Sequence, residues 1–356
     1  MKRPLISLCM IVKNEEKYLK QCLDSMADLF DEVIITDTGS TDNTIEIAKS
    51  YPNVKVFNFK WIDNFSAARN YSFKQAKSKY IMWVDADDVL LEEDRQKFIK
   101  LKEKLKDEYI RAVSMVYKYA FNENNKCILE FKRNRIFLNN KKDRWEGYVH
   151  EVVGISIDDS LITDINITHT RSHSNGSRNL DIFENKRKEG ETFNTRNTLY
   201  YAKELYYNCL YERAIEIFNE FFKKPDGWKE DIIDARIKIA NCYKALGNED
   251  QFVYNLNKTL EFDLRAEAMY PLANYYYSKD KIDTAIMLYE GILRTKYPEN
   301  CNGFLNKELW EFLPAIQLSV IYYTKDYDKA KYYHEIAKAL SPDSEIIINN
   351  DQFFNK

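Results

Sequence analysis

Residues 80–94 read YIMWVDADDVLLEED. The apolar residues Ile81, Met82, Trp83 and Val84 run directly into Asp85-Ala86-Asp87-Asp88. Carboxylates this close repel one another unless a cation sits among them or water reaches them all. A divalent metal would explain the cluster. Mg²⁺ and Mn²⁺ take oxygen ligands, and Mg²⁺ typically uses one or two carboxylates together with substrate phosphates. Asp85 and Asp87 flank a single residue, so at a strand end both can face one point. The competing explanation is plainer: acidic residues after a strand also cap the helix that follows, and Asp88 fits that job.

The elements that must position these groups alternate in type. Residues 5–12 (LISLCMIV) read as a strand, 15–29 as an amphipathic helix and 32–36 (EVIIT) as a second strand. TGSTDNT leads into a helix at 43–50, VKVFNF (54–59) is a third strand, 66–78 a helix and 80–85 a fourth strand. Strands separated by helices predict a mostly parallel sheet covered on both faces. Ligands of such sheets bind at the carboxyl ends of the strands, where Asp37 and Asp85 both lie. Past residue 110 two longer runs, AVSMVYKYAF and ILEFKRNRIFL, predict antiparallel strands.

Composition narrows the class. The 356 residues suggest two domains or three, and 45% apolar residues allow sizeable cores. A formal net charge of -3 argues against a broad nucleic-acid footprint. The six cysteines are scattered with no C-x-x-C pair, which disfavours a zinc ribbon or a disulfide scaffold and fits a reducing compartment. The opening MKRPLISLCMIVKNEE has a short apolar stretch ended by Lys13 and no small-residue cleavage site, so it reads as a buried strand rather than a leader. No apolar run has the length of a membrane span. The expected location is the cytoplasm.

Near residue 190 the rhythm becomes helical. Ala202, Ala240 and Ala273 are each followed twelve residues later by Ala214, Phe252 and Ala285, and four further on by Phe218, Leu256 and Tyr289. A weaker copy runs through Leu318, Ile321, Ala330, His334 and Ala337. Small residues where two helices cross, with bulky ones beside them, are what a helix-turn-helix solenoid needs. The pattern resembles tetratricopeptide repeats of wandering length. A plain helical bundle is the alternative.

Three stretches follow one another in the first half: MIVKNEEKYLKQCLDSM, FDEVIITDTGSTDNT and NFSAARNYSFKQAKSKYIMWVDADD. Together they resemble the family-two glycosyltransferases of the GT-A fold, over about residues 5–175. The likeness extends in particular to enzymes with a tetratricopeptide-like tail, among them S-glycosyltransferases that modify bacteriocin peptides. The fold implied is an α/β GT-A domain, Rossmann-like with a mostly parallel sheet, at 1–180, followed by an all-α TPR-like helical repeat domain at 190–356.

The resemblance also implies roles. Asp37 matches the aspartate that hydrogen-bonds the nucleotide base, although a turn aspartate would look the same, and Asp42 fits that duller job better. Arg69 matches a residue beside the nucleotide that helps hold diphosphate charge; a surface ion pair is the alternative. Asp85 and Asp87 match the D-x-D pair, the first toward ribose and metal and the second toward metal. Within RIFLNNKKDRWEGYVHEVV (135–153), Glu151 falls where the catalytic base lies; a first-turn glutamate at a helix dipole is the alternative. Trp145 and Gly147 suit the floor under the sugar, and Trp145 equally suits a core. In DINITHTRSH, His169 matches the histidine that completes the metal site, with His150 and His173 as rivals. The residues after it, Thr170-Arg171-Ser172, depart from the glycine and aromatic often found there. Arg171, Arg178 and Lys186 suit screening of a departing diphosphate.

What the resemblance implies is an inverting glycosyltransferase with a divalent cofactor, Mn²⁺ or Mg²⁺. It would move sugar from a nucleotide sugar, a UDP-sugar first, to Ser, Thr or Cys of a protein or peptide held by the helical tail. A glycan or lipid-linked acceptor is the alternative, and a non-catalytic scaffold is a second. Tails of this kind also allow a homodimer.

Overall fold

The computed structural model describes residues 3–121, 127–140, 142–170, 177–298 and 306–354. The chain divides into two compact units, Met1–Thr192 and Phe193–Lys356.

The first unit is built on β1 (Ile6–Val12), α1 (Leu19–Met26), β2 (Glu32–Asp37), α2 (Thr44–Lys49), β3 (Val54–Asn58), α3 (Phe65–Gln75) and β4 (Tyr80–Trp83). It continues with β5 (Asp88–Val89), α4 (Glu92–Asp107), β6 (Ala112–Phe121), β7 (Cys127–Leu138), β8 (Trp145–Glu146), β9 (Val152–Val153), β10 (Leu161–His169) and α5 (Arg178–Lys188). The main sheet runs β3-β2-β1-β4-β7-β6-β10-β5, while β8 and β9 form a separate ribbon. The first four strands are parallel, β7 is antiparallel to both β4 and β6, and β10 returns parallel to β6. This is the mostly parallel sheet with helices between its strands that the alternating pattern predicted.

Strand β1 shows why both sheet faces are apolar. Leu8, Met10 and Val12 belong to one buried cluster with α1 and α4 residues such as Leu23 and Phe98. Cys9 on the opposite face packs with Phe73 of α3, Trp83 and Trp145. Side chains alternate across a strand, so a strand covered on both faces must be apolar throughout.

Helix α1 starts later than the predicted 15–29. Asn14 takes a left-handed conformation, φ 56°, and its side-chain oxygen accepts the Thr41 N–H at 2.8 Å. Glu16 accepts the Asn43 N–H at 3.1 Å. These bonds hold the segment before α1 to the loop before α2. Strand β4 ends at Trp83, two residues short of the predicted limit, because the chain turns there: the Asp88 N–H donates to the Asp85 carbonyl at 3.1 Å.

The second unit is a series of helix hairpins: α6 (Thr195–Tyr207) with α7 (Tyr211–Phe221), α8 (Lys229–Ala245) with α9 (Glu249–Thr259), and α10 (Ala266–Ser278) with α11 (Ile282–Arg294). After the short α12 (Lys307–Trp310), α13 (Phe312–Tyr322) pairs with α14 (Tyr327–Leu340), and α15 (Glu345–Phe354) follows. The twelve-residue offset in the sequence carries the chain across each turn, from Ala202 to Ala214, Ala240 to Phe252 and Ala273 to Ala285, all buried. Each of these three turns has a left-handed residue: Cys209 (φ 60°), Gly247 (φ 75°) and Asp280 (φ 57°). The residue after each donates its N–H back to Leu205, Tyr243 or Tyr276, closing the bond that ends a helix in this way.

Only Gly247 suits that conformation without a steric cost, since other L-residues lose roughly 1–2 kcal/mol there. Asp280→Gly should therefore stabilise the helical unit by about 1 kcal/mol, read as a higher urea midpoint; an unchanged or lower midpoint would contradict the assignment.

Candidate active site

Strand β1 lies between β2 and β4, so the connections leave it toward opposite sides of the sheet. Such a switch point opens a crevice at the carboxyl ends of the strands. A cavity of about 460 Å³ sits there. Its wall includes Ile11, Val12 and Lys13 at the end of β1, the turn Asp85-Ala86-Asp87 after β4, and Glu151 and His169. Arg69, Arg133, Arg178, Trp61 and His150 also face it.

Helix α3 delivers Arg69. Asn64 caps that helix by accepting the Ala67 N–H at 2.9 Å, and one turn further Arg69 points inward, 6% exposed. Its Nη2 donates to Asp85 Oδ1 at 2.9 Å, and its Nε forms a short ion pair with Glu151 Oε1. The neighbouring Asn70 exchanges two 2.9 Å hydrogen bonds with the backbone of Trp145. Arg69 thus joins the D-x-D turn to the loop before β9. No helix begins at Glu151, so the first-turn explanation for that glutamate falls; the residue precedes the short strand β9.

Asp85 is about a third exposed, 34%, yet crowded by protein. Burial alone would raise its carboxyl, but the Arg69 and Arg135 charges outweigh it and hold the group at about 2. Asp87 stands on the cavity wall and Asp88 is fully buried. Asp88 does not cap α4, whose N-cap residue is Leu91 with no side-chain cap. It stands 3.0 Å from Nη1 of the equally buried Arg135 and accepts the Tyr117 hydroxyl at 2.9 Å.

His169 closes β10 opposite Asp88 in the strand ladder. Its Nδ1 lies 3.1 Å from the Tyr117 hydroxyl and 3.6 Å from a carboxylate oxygen of both Asp87 and Asp88. Burial disfavours its charged form, but hydrogen bonding to Asp88 and the Asp87, Asp88 and Asp85 charges raise it above its ordinary value. Asp87, Asp88 and His169 present ligand atoms within 4.8 Å of one another. Two carboxylates and an imidazole form a donor set that fits a divalent ion such as Mn²⁺.

Two arginines escaped the sequence reading. Arg133 and Arg135 approach the Trp83 ring at 4.8 and 4.2 Å, and Arg69 does so at 4.5 Å. Arg133 forms no ion pair among the described residues; burial and the Arg135 charge lower its affinity for its proton. The signal was present in FKRNRIFL: two arginines in an apolar strand need anionic partners if buried, and the acidic turn was the available one.

Other candidates are placed differently. Asp37 accepts the Gly39 and Ser40 N–H groups at 3.0–3.2 Å and is not on the cavity wall, although Thr38 beside it is. Asp42 binds the Thr44 N–H at 3.0 Å as a turn residue. Trp145 is core, edge-on to Trp83 at 4.9 Å and off the cavity wall, so the structure does not bring it to the position of a sugar floor. His150 reaches the wall from a left-handed backbone, φ 54°. Lys186 pairs with Glu189. Arg171 and His173 lie outside the described residues.

Residues 7–156 match the family model for Glycosyl transferase family 2. This segment is similar to the family-two glycosyltransferases. The chain is 36% identical over 149 residues to the SPbeta prophage-derived glycosyltransferase SunS of Bacillus subtilis, a match covering 42% of this chain and 34% of SunS. It is 33% identical over 158 residues to a TPR repeat-containing protein of Synechococcus elongatus, covering 44% of this chain and 36% of that one. The matches span about a third of the length of these curated relatives. Among solved structures, S. aureus TarS 1-349 with UDP-GlcNAc is similar at a TM-score of 0.37 and 14% identity, covering 70% of this chain and 89% of that one. No helix among the described residues is long and apolar enough to cross a membrane.

The first unit draws acid stability from the Arg69–Asp85 ion pair. Asp85 is depressed below its unfolded value of about 3.9, so its contribution is present above that value and lost as pH falls toward about 2. Arg69→Met should shift the acid-unfolding midpoint, followed by tryptophan fluorescence, to higher pH; an unmoved midpoint would refute the ion-pair account.

Proposed function

We propose that the chain is an inverting, metal-dependent glycosyltransferase that moves a sugar from a UDP-sugar to a Ser, Thr or Cys side chain of a peptide or protein. The observation that carries this reading is the convergence of Asp85, Asp87, Glu151 and His169 with the guanidinium groups of Arg133 and Arg178 on one cavity at the switch point. Arg178 lies over the Phe65 ring at 4.9 Å, and Arg133 makes no close ion pair among the described residues, although the Asp85 and Glu151 charges act on it. Two cations on one wall suit a diphosphate, with the nucleotide lying along the ends of β1 and β2. Asp37, whose carboxylate already serves its own turn, would still have lone pairs for a base N–H.

Asp87 and His169 would hold the divalent ion, with Asp85 beside them. Bound there, the ion would supply Lewis-acid stabilisation of the charge on the departing diphosphate. Arg133 and Arg178 would screen the same charge. Glu151, held in place by Arg69, would take the acceptor proton as the acceptor attacks the anomeric carbon from the face opposite the leaving group. A thiol asks least of that base, since its ordinary pKa is about 8.5. The hairpin unit, whose exposed tyrosines include Tyr207 and Tyr277, would hold the acceptor peptide.

The test is UDP release from a panel of UDP-sugars with Mn²⁺ and with EDTA. One donor should turn over and EDTA should abolish the reaction; turnover unaffected by EDTA would sink the metal role. Glu151→Gln should lower kcat roughly 10²–10⁴-fold with donor binding retained, and undiminished transfer would remove Glu151 as the base.

A further inference from the structure

We propose that Asp88 and Arg135 form a buried positioning pair that sets where Asp87 and His169 stand, and that Asp88 is not itself a ligand of the cation. This rests on the reading that Asp87 and His169 hold a divalent ion. Proximity alone would make Asp88 a third ligand, since all three residues lie within 4.8 Å. Its surroundings argue otherwise. Asp88 is fully buried and neutralised by an equally buried cation: Oδ2 stands 3.0 Å from Arg135 Nη1 and accepts the Asp85 N–H at 3.1 Å, while Oδ1 accepts the Tyr117 hydroxyl at 2.9 Å.

Arg135 is built for this one partner. Its guanidinium lies between the rings of Trp83 and Tyr117, 4.2 and 4.4 Å from their centres. None of its nitrogens makes a hydrogen bond among the described residues, despite the 3.0 Å approach to Asp88. Charge and two ring faces hold it. It is also the extra residue of a bulge: Val113 pairs with Ile136 and Ser114 with Asn134, leaving Arg135 unopposed in the ladder. Bulges re-aim side chains next to functional sites.

From Asp88 the contacts run to both proposed ligands. The bond from the Asp85 N–H fixes the turn that carries Asp87. The Tyr117 hydroxyl, bound to Asp88, lies 3.1 Å from His169 Nδ1. Thr170, next to His169, donates both its N–H and its hydroxyl to the Asp87 carbonyl at 2.8 Å. A carboxylate that fixes a metal-binding histidine in this manner typically matters 10–100-fold in metal affinity.

Mn²⁺ binding by the full chain in the presence of UDP, followed by electron paramagnetic resonance, separates the two roles. Asp88→Asn should weaken binding roughly 10–100-fold, because it leaves the Arg135 charge buried without a partner. Adding Arg135→Met should restore most of the affinity. The asparagine oxygen can still accept the Asp85 N–H, which keeps the turn that carries Asp87, and the Tyr117 oxygen can accept from His169 Nδ1–H, the tautomer that leaves the other ring nitrogen for the ion. Loss of a true ligand would not be repaired this way, and Asp87→Asn should stay weak with or without Arg135→Met. A double variant as weak as Asp88→Asn, or Asp88→Asn binding as tightly as the parent, overturns the proposal. If Asp88→Asn fails to fold, Tyr117→Phe provides the second variant: a smaller loss of Mn²⁺ affinity is expected, and an unchanged affinity overturns the proposal. A parent chain that binds no Mn²⁺ overturns the metal reading and this one with it.

Discussion

One indole ring organises the charges on which the site depends. Three guanidinium groups, from Arg69, Arg133 and Arg135, lie within 4.8 Å of the centre of Trp83. Two of them stand against the carboxylates that would otherwise repel one another: Arg69 against Asp85 and Glu151, and Arg135 against Asp88. Taking such charges out of water is costly unless each meets its opposite at close range. The acidic turn after β4 can therefore exist only where α3, β7 and the loop before β9 bring those partners to it. Trp83 supplies the common surface, and its own N–H is satisfied by the Asn134 carbonyl at 2.9 Å.

The scaffold around that ring is conventional in its physics. Three parallel strands buried on both faces, β2, β1 and β4, make a rigid floor, and the change of winding direction at β1 opens a crevice above it. The antiparallel insertion of β7 and β6 then adds what the parallel half lacks, a wall bearing arginines and tyrosines. Hydrophobic order in one half and charge complementarity in the other meet at Trp83.

The parallel half was legible because period-two and helical patterns are local. So were the helix hairpins, since an alanine in the first helix of three of them is followed twelve residues later by a buried residue of the second. Asp85 and Asp87 could be singled out by type and spacing, Glu151 and His169 by the family resemblance, and the structure brings all four to one cavity. Asp88, read as a helix cap, joins a buried pair instead, because its partner is supplied by a strand far along the chain. Arg135 was hidden for a further reason. A bulge breaks the alternation by which a strand's inward residues are recognised, and nothing in KRNR announces it. Trp145 shows the opposite case: a residue in a suggestive position can be taken up by the core.

The strand order has a consequence for biosynthesis. Strand β5, which begins with Asp88, pairs among the described residues only with β10, at the edge of the sheet. A nascent chain that has emerged through β4 can condense its parallel strands, but the acidic turn still has no edge to lie against. It gains Arg135 when β7 arrives and its strand partner only when residues 161–169 do. Closing so long a loop is entropically slow. The first unit of the chain thus leaves the ribosome as a formed sheet whose acidic corner is the last part to be set.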